Sequence, residues 1–259
     1  MIVCKFGGSS SACKHGVDNI LEIVKNKNRK IIVFSAIGKF GKYDTKLTDL
    51  LIELVEGKKT LNLIDQKFEN LAKNLNINFN YKRYTKRFVR IKNYDKLLSR
   101  GEFLTAKMFA KATNIKFLDA KKLLFAKKEC FCENEIKKKI DKILHKYDQI
   151  IVPGFYFLNN KKITIFSRGG GDISGAYFAL FSDAKKYEIW TDVPGVYNKN
   201  PQKYGAKIFK KITYSHMLQL SKKGAQVVHP DACLILKNSG IKSIVKSTFL
   251  PKAKGTIIQ

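Results

Sequence analysis

The residues with the clearest capacity for chemistry stand in two glycine-rich turns. One is Ser167-Arg168-Gly169-Gly170-Gly171-Asp172. It follows a β-branched and aromatic run at 163–166 and leads into the small residues Ser174, Gly175, Ala176 and Ala179. The run reads as a buried strand, and the small residues as a closely packed helix. A strand, a glycine turn and a helix start bind anions, because backbone N–H groups point inward and the helix N-terminus adds positive partial charge. Arg168 can clamp a carboxylate or phosphate with two parallel N–H groups. Asp172 beside such a site disfavours its own charge unless a cation accompanies it, so the chain has to bring a lysine from elsewhere.

A second turn brings it. Ile2-Val3-Cys4-Lys5-Phe6 reads as a strand that breaks into Gly7-Gly8-Ser9-Ser10. Glycine backbone for close approach, a lysine for a transferred phosphoryl group and nearby hydroxyls make a second phosphate cradle. The Gly-x4-Gly-Lys-Ser/Thr spacing of the common nucleotide loop is absent. Either turn alone is equally an ordinary strand-turn-helix corner. Two of them, far apart in the chain and each with a charged residue, point to phosphoryl chemistry. A third candidate is Glu102 in Ser99-Arg100-Gly101-Glu102. The spacing predicts a helix with a capped start here. Glu102 then either complements the dipole from the first turn, the reading that spacing favours, or aims into the cleft to hold an amine.

These residues need elements to position them. Apolar spacing predicts a helix over 17–28 and a strand over 31–34, followed by Ser35-Ala36-Ile37-Gly38. Strand, helix, strand is a parallel βαβ unit, which places Ser35 and Gly38 past a strand's carboxyl end, where open α/β sheets bind ligands. Thr45 and Thr48 lie at a helix start. Helices follow over 47–64, interrupted at Gly57, and 68–75; residues 76–94 stay unassigned. Next come a strand over 115–118, a helix over 133–145 and a strand over 149–152 that breaks at Pro153-Gly154-Phe155. Beyond the Arg168 turn lie a strand over 187–191, a helix over 212–223, a helix opened by 224–230, and strands over 242–246 and 256–258. His229 before Pro230 reads as a cap or packing residue. The alternation argues an α/β fold with a largely parallel sheet covered on both faces.

A chain of 259 residues holds one large core or two lobes. The net charge of +29 comes almost wholly from lysine spread along the chain, since arginine occurs only at 29, 83, 87, 90, 100 and 168. Only residues 82–92 form a basic-aromatic patch, and it reads as a solvated face rather than a nucleic-acid surface. The charge can still steer anionic substrates inward. No apolar run reaches membrane-spanning length and no leader pattern precedes Lys5, so neither a membrane span nor a signal peptide is expected. Five cysteines and four histidines show no metal-ligand spacing, which suits reduced thiols in the cytoplasm, and no metal-binding residue is named.

Taken together, the motifs resemble a known family. Lys5-Phe6-Gly7-Gly8-Ser9-Ser10 is similar to KFGGTS, residues 34–38 to VSAMG, and 98–102 to SxGE. Residues 166–172 resemble LGRGGSD, 189–197 IWTDVPGxY, and 224–230 GAKVLHP; the stretches 246–249 and 255–258 match the end of the kinase domain. They occur in family order over residues 2–258, and the chain is identified as a member of the aspartate kinases of the amino-acid kinase family. The resemblance implies a three-layer αβα sandwich around a mainly parallel sheet, with residues 1–259 as a single kinase domain. A lobe of residues 1–150 would bind L-aspartate and a lobe of residues 151–259 would bind MgATP. The products would be 4-phospho-L-aspartate, the first intermediate of lysine, threonine and methionine-type biosynthesis, and ADP.

Carried over by position, Lys5 would contact the transferred phosphoryl, and Asp172 would hold Lys5. Gly7, Gly8, Ser9, Gly169 and Gly170 would cradle phosphate. Ser35, Thr48, Glu102 and Phe155 would line the aspartate pocket, with Glu102 at the amine, and Arg168 would clamp a substrate carboxylate. Thr191, Asp192, Tyr197, Gln202 and Gln226 would surround ATP. Mg²⁺ would be held by ATP oxygens and water. The chain departs from the family at Gln202 (often Arg), Gln226 (often Lys) and Gly171 (Ser). The two glutamines remove cations near the phosphates, which Lys199, Lys203, Lys222 or Lys223 would replace. The expected partner is a second copy in a homodimer, with no nucleic acid and no membrane. No C-terminal regulatory domain that binds lysine or threonine is expected, which implies an enzyme without that feedback or one regulated by a partner chain. The alternatives are a weakly active or non-catalytic kinase-fold subunit, and a kinase for another small amino-acid carboxylate.

Overall fold

The architecture follows from period-two burial in the first two strands. Val3 joins one hydrophobic cluster while Cys4 and Phe6 join another. Ile31 and Val33 side with Val3, and Ile32 and Phe34 with Cys4. Strands buried on both faces need a helical layer on each side. The computed structural model describes residues 1–128, 130–199, 204–222 and 227–259.

In chain order the first elements are β1 (Ile2–Phe6), α1 (Lys14–Ile23), β2 (Arg29–Phe34), α2 (Leu47–Val55), α3 (Leu61–Leu75), α4 (Lys82–Thr85) and α5 (Tyr94–Thr113). Then come β3 (Lys116–Phe117), β4 (Phe125–Lys127), β5 (Cys130–Phe131), α6 (Glu133–Lys146), β6 (Ile150–Pro153), β7 (Tyr156–Asn159) and β8 (Lys162–Ile165). The last are α7 (Gly170–Phe181), β9 (Lys186–Thr191), β10 (Lys211–Ile212), α8 (Tyr214–Lys222), α9 (Pro230–Leu236), β11 (Lys242–Ser247) and β12 (Thr256–Ile258).

An eight-stranded sheet runs β10-β12-β11-β9-β1-β2-β6-β3, and every pairing in it is parallel except β11 with β12. Helices α1, α2, α3 and α5 cover one face, and α6, α7, α8 and α9 the other. This is the expected three-layer αβα sandwich. A second sheet, β5-β4-β7-β8, contains the strand expected over 163–166 as β8, which is partly exposed rather than buried, and three strands that were not expected. Its β7–β8 hairpin closes through Asn160 and Lys161, whose φ angles of 45° and 65° suit a tight turn that matches strand twist. The hairpin delivers the chain to the Arg168 turn.

Several boundaries differ from the apolar pattern. The helix expected over 17–28 runs from Lys14 to Ile23. The helix expected over 47–64 is two helices, broken at Gly57, and residues 61–64 open α3. Ile212 belongs to β10 rather than to α8. The largest shift concerns Glu102. Helix α5 begins at Tyr94, because the Asn93 side chain accepts from the Lys96 N–H at 2.8 Å and caps it there. Glu102 is therefore mid-helix, and the first-turn dipole reading of it is overturned.

The unassigned 76–94 segment holds α4 and a 3-10 turn over 88–90. Within the basic patch Phe88 is buried and Tyr84 stacks on Phe79, so these rings pack on the fold. Among the described residues no helix is long and apolar enough to cross a membrane.

One buried ion pair fastens the sheet across β1. Arg29 Nε on β2 lies 2.7 Å from Glu188 Oε2 on β9, and Trp190 Nε1 donates to the same oxygen at 2.9 Å. Removing one partner strands a buried charge, whereas removing both does not. Arg29→Met should therefore lower the unfolding free energy by roughly 3 kcal/mol in urea melts, and adding Glu188→Gln should restore most of it.

Candidate active site

Lys5 faces the same side of β1 as Val3, which is the side covered by α7. That helix opens at Gly169, whose φ is +90° and where a Cβ would sit 2.8 Å from the His229 ring, so only glycine fits. One turn on, Asp172 Oδ1 lies 2.7 Å from Lys5 Nζ. Among the described residues Oδ1 has no hydrogen-bond partner, and the contact is an ion pair. Asp172 Oδ2 accepts from the His229 backbone N–H at 3.1 Å. His229 itself caps α9, its Nδ1 accepting from the Asp231 N–H. The lysine that Asp172 requires is thus Lys5.

The turn after β1 is fixed by its neighbours on both sides. Gly7 N–H donates to Trp190 O at 2.9 Å, and Gly38 N–H to Gly8 O at 2.8 Å. A Cβ on Gly8 would lie 2.4 Å from Ala36 O, and one on Gly38 2.5 Å from the Gly8 carbonyl carbon. The turns after β1 and β2 therefore interlock backbone against backbone. Among the described residues, the N–H groups of Gly8, Ser9, Gly169 and Gly171 donate to no protein acceptor. Four such donors around a lysine form an anion socket.

Both turns open into one cleft of about 810 Å³ at the carboxyl ends of β1, β2 and β9. Ser35 and Thr48 line it, as do Phe155, Gly169, Gly170, Thr191 and Asp192. Arg168 stands at its edge with a side chain 85% exposed, 3.7 Å from Asp49 Oδ1, and so can swing. Phe155 has a φ of +75°, strained for an aromatic residue. Two bonds hold it, from its N–H to Ser174 Oγ and to its carbonyl from Phe166 N–H. A Cβ on Gly171 would lie 2.5 Å from Ser35 Oγ and 3.1 Å from Lys5 Cε, so the glycine makes room for both.

Glu102 also faces this cleft. It is 4% exposed, and its Oε2 has no hydrogen-bond partner among the described residues. Burial pushes its carboxyl up from 4.5 to about 7, against the pull of the Ala36 N–H, its own N–H, Lys5 and Arg100. A buried, unpartnered carboxylate oxygen aimed into a cavity is a receptor for a cationic donor.

Not every expected residue comes here. Tyr197 does not line the cleft; it forms an antiparallel bridge with Ile208. Gln202 and Gln226, with Lys203 and Lys223, lie outside the described residues. Lys199 and Lys222 do not line the cleft either. The lysines that join Lys5 there are Lys39 and Lys46, which sequence reasoning missed. Their only signal was Lys39 following Gly38 directly. Groups of carboxylate, histidine and cysteine able to hold a metal are absent among the described residues.

The family model described as the amino acid kinase family matches residues 1–247. The aspartokinase of Rickettsia conorii is 30% identical over 273 residues, which cover 100% of this chain and 60% of the relative. The crystal structure of Clostridium acetobutylicum aspartate kinase superposes with a TM-score of 0.90 at 34% identity, over 100% of this chain and 63% of that one. E. coli aspartokinase III, solved with aspartate and ADP, shares the fold with a TM-score of 0.86 at 24% identity, over 100% of this chain and 64% of its own. The chain thus spans about 60% of the length of the curated relatives it matches. With its sheet order, its paired glycine turns and a family model over nearly its whole length, the chain belongs to the amino acid kinase family.

Proposed function

We propose that this chain transfers the terminal phosphoryl group of ATP to the side-chain carboxylate of L-aspartate, giving 4-phospho-L-aspartate and ADP. The observation that carries this reading is the unpartnered Glu102 oxygen in the same cleft as an anion socket built from two glycine turns. One cation receptor beside sites for several anions suits an amino acid with a second carboxylate, next to a polyphosphate. The E. coli relative holding aspartate and ADP supports it.

A carboxylate is already a nucleophile at neutral pH, so the protein supplies position and charge rather than a base. In this reading Glu102 takes the substrate ammonium and Arg168 swings onto a substrate carboxylate. Lys5, aimed by Asp172, meets the transferred phosphoryl. The free N–H groups of Gly8 and Ser9 face it from one turn, and those of Gly169 and Gly171, with the α7 dipole, from the other. Thr191 and Asp192 flank the nucleotide. Mg²⁺ carried on the triphosphate would neutralise its charge; Asp192, exposed at the rim, would be available to it, while Asp172 is engaged by Lys5. The division into an aspartate lobe over 1–150 and an ATP lobe over 151–259, and a homodimer, belong to the same reading.

A coupled ADP-release assay tests it. Turnover should require L-aspartate, fail with L-glutamate, and fall by about 10²-fold or more in Lys5→Ala. Wild-type protein that binds ATP yet shows no acceptor-dependent turnover would overturn the proposal. Glu102→Gln should raise the KM for aspartate about tenfold or more while leaving that for ATP nearly unchanged.

The same variant carries a pH signature. With its carboxyl raised from 4.5 to about 7, folded Glu102 keeps its proton where the unfolded chain has lost it. Unfolding then releases protons, and stability falls as pH rises through this window, by roughly 3 kcal/mol in all. Urea melts of the unliganded protein between pH 4.5 and 7.5 should show that decline in wild type and its loss in Glu102→Gln.

A further inference from the structure

Burial separates two lysines from the rest. Among the described residues, ion-paired lysine side chains are 38% exposed or more, except Lys5 at 12% and Lys67 at 11%. Lys5 works in the cleft. Lys67, on α3, does not line it; it lines a separate cavity of about 470 Å³ behind the 39–45 segment. Its Nζ donates to Gly38 O at 2.9 Å and to Asp44 Oδ2 at 2.6 Å.

Both acceptors belong to the machinery in front. Gly38 is the residue interlocked with Gly8, and its N–H holds Gly8 O. Asp44 folds the segment after Gly38, its carboxylate accepting from the N–H groups of Phe40 at 2.8 Å and Thr45 at 2.9 Å. That segment presents Lys39 and Lys46 to the cleft, and neither of them is ion-paired among the described residues. Burying an ammonium costs several kcal/mol before its partners repay it, and an apolar chain of similar length would fill the same space. The cation is thus placed for its two contacts rather than for packing.

We propose that Lys67 is a positioning residue for phosphoryl transfer. From behind the cleft it fixes Gly38, and through Gly38 the phosphate turn at 7–9. Through Asp44 it fixes the strap at 39–46 with its two lysines. The proposal rests on the kinase reading of the cleft, and the test keeps the two apart.

The experiment compares the full chain with Lys67→Met and Asp44→Asn. Amide hydrogen exchange is read without ligand, and steady-state ADP release with ATP and L-aspartate. In Lys67→Met, exchange should rise together at residues 7–11 and 36–46; in Asp44→Asn it should rise only at 39–46. The kcat/KM for ATP should fall by about 10²-fold in Lys67→Met, since small misplacements of positioned groups cost that much, with the KM for aspartate unchanged. Wild-type exchange at 7–11 in Lys67→Met would overturn the proposal. So would a loss of activity that only tracks the folded fraction from a parallel melt, the signature of a purely structural lysine. A wild-type chain without turnover would sink the kinase reading alone, and exchange at 7–11 would still decide for or against the Lys67 linkage. Lys67→Gln, neutral but still a donor, repeats the reading if Lys67→Met does not fold.

Discussion

Lys5 and Asp172 are 12% and 11% exposed, and each is a charge that the interior would reject without the other. Much of the architecture serves their meeting. Lys5 needs a strand in the middle of the sheet, so that its ammonium emerges at a carboxyl end and not at an edge. β1 is such a strand, with β2 on one side and β9 on the other. Asp172 needs a helix that starts directly above that strand. The start is possible because Gly169 takes a left-handed turn under the His229 ring. His229 in turn caps α9 and gives its N–H to Asp172. One ion pair thus ties the first strand, α7 and, through His229, the start of α9 to a single geometry.

Glu102 shows the opposite balance. Its burial is uncompensated on one oxygen, so the cleft without substrate holds a group that the fold would rather protonate. A substrate ammonium would replace the missing donor and restore the ordinary carboxylate charge. In the proposed reading binding and stability are coupled through this residue: the feature that weakens the empty protein near neutral pH is the one that would select an amine. The strained backbone at Phe155, held by two hydrogen bonds on the pocket wall, is a second local cost borne where recognition occurs.

What could be read from the chain beforehand divides along physical lines. The Lys5–Asp172 partnership was legible, because glycine turns after apolar runs have a local signature and an acid beside an anion site demands a cation. The parallel core strands were legible for the same reason, their apolar runs being continuous. The position of Glu102 was not legible from spacing, because the start of α5 is set by Asn93 in a basic stretch with weak apolar rhythm. The short strands β4, β5 and β7 were missed, since they owe their pairing to one another across distant segments. Tyr197 has the family motif around it, yet it pairs with Ile208 and is not among the residues that line the cleft.

The charge of the chain illustrates a more general limit. With a net charge of +29, lysine carries almost no positional information by type alone. Lys39, Lys46 and Lys67 look like the many solvated lysines around them, and apart from Lys39 following Gly38 nothing in their spacing marks them. Burial and partner identity do. A lysine that gives up water to hold a backbone carbonyl and a carboxylate has been assigned a place. One that faces a cleft without a counter-ion has been left free for an incoming anion. These two environments sort the cations of the site into those that hold its shape and those that meet the ligand. The basic background then acts on neither; it raises the local concentration of anionic substrate near the mouth of the cleft.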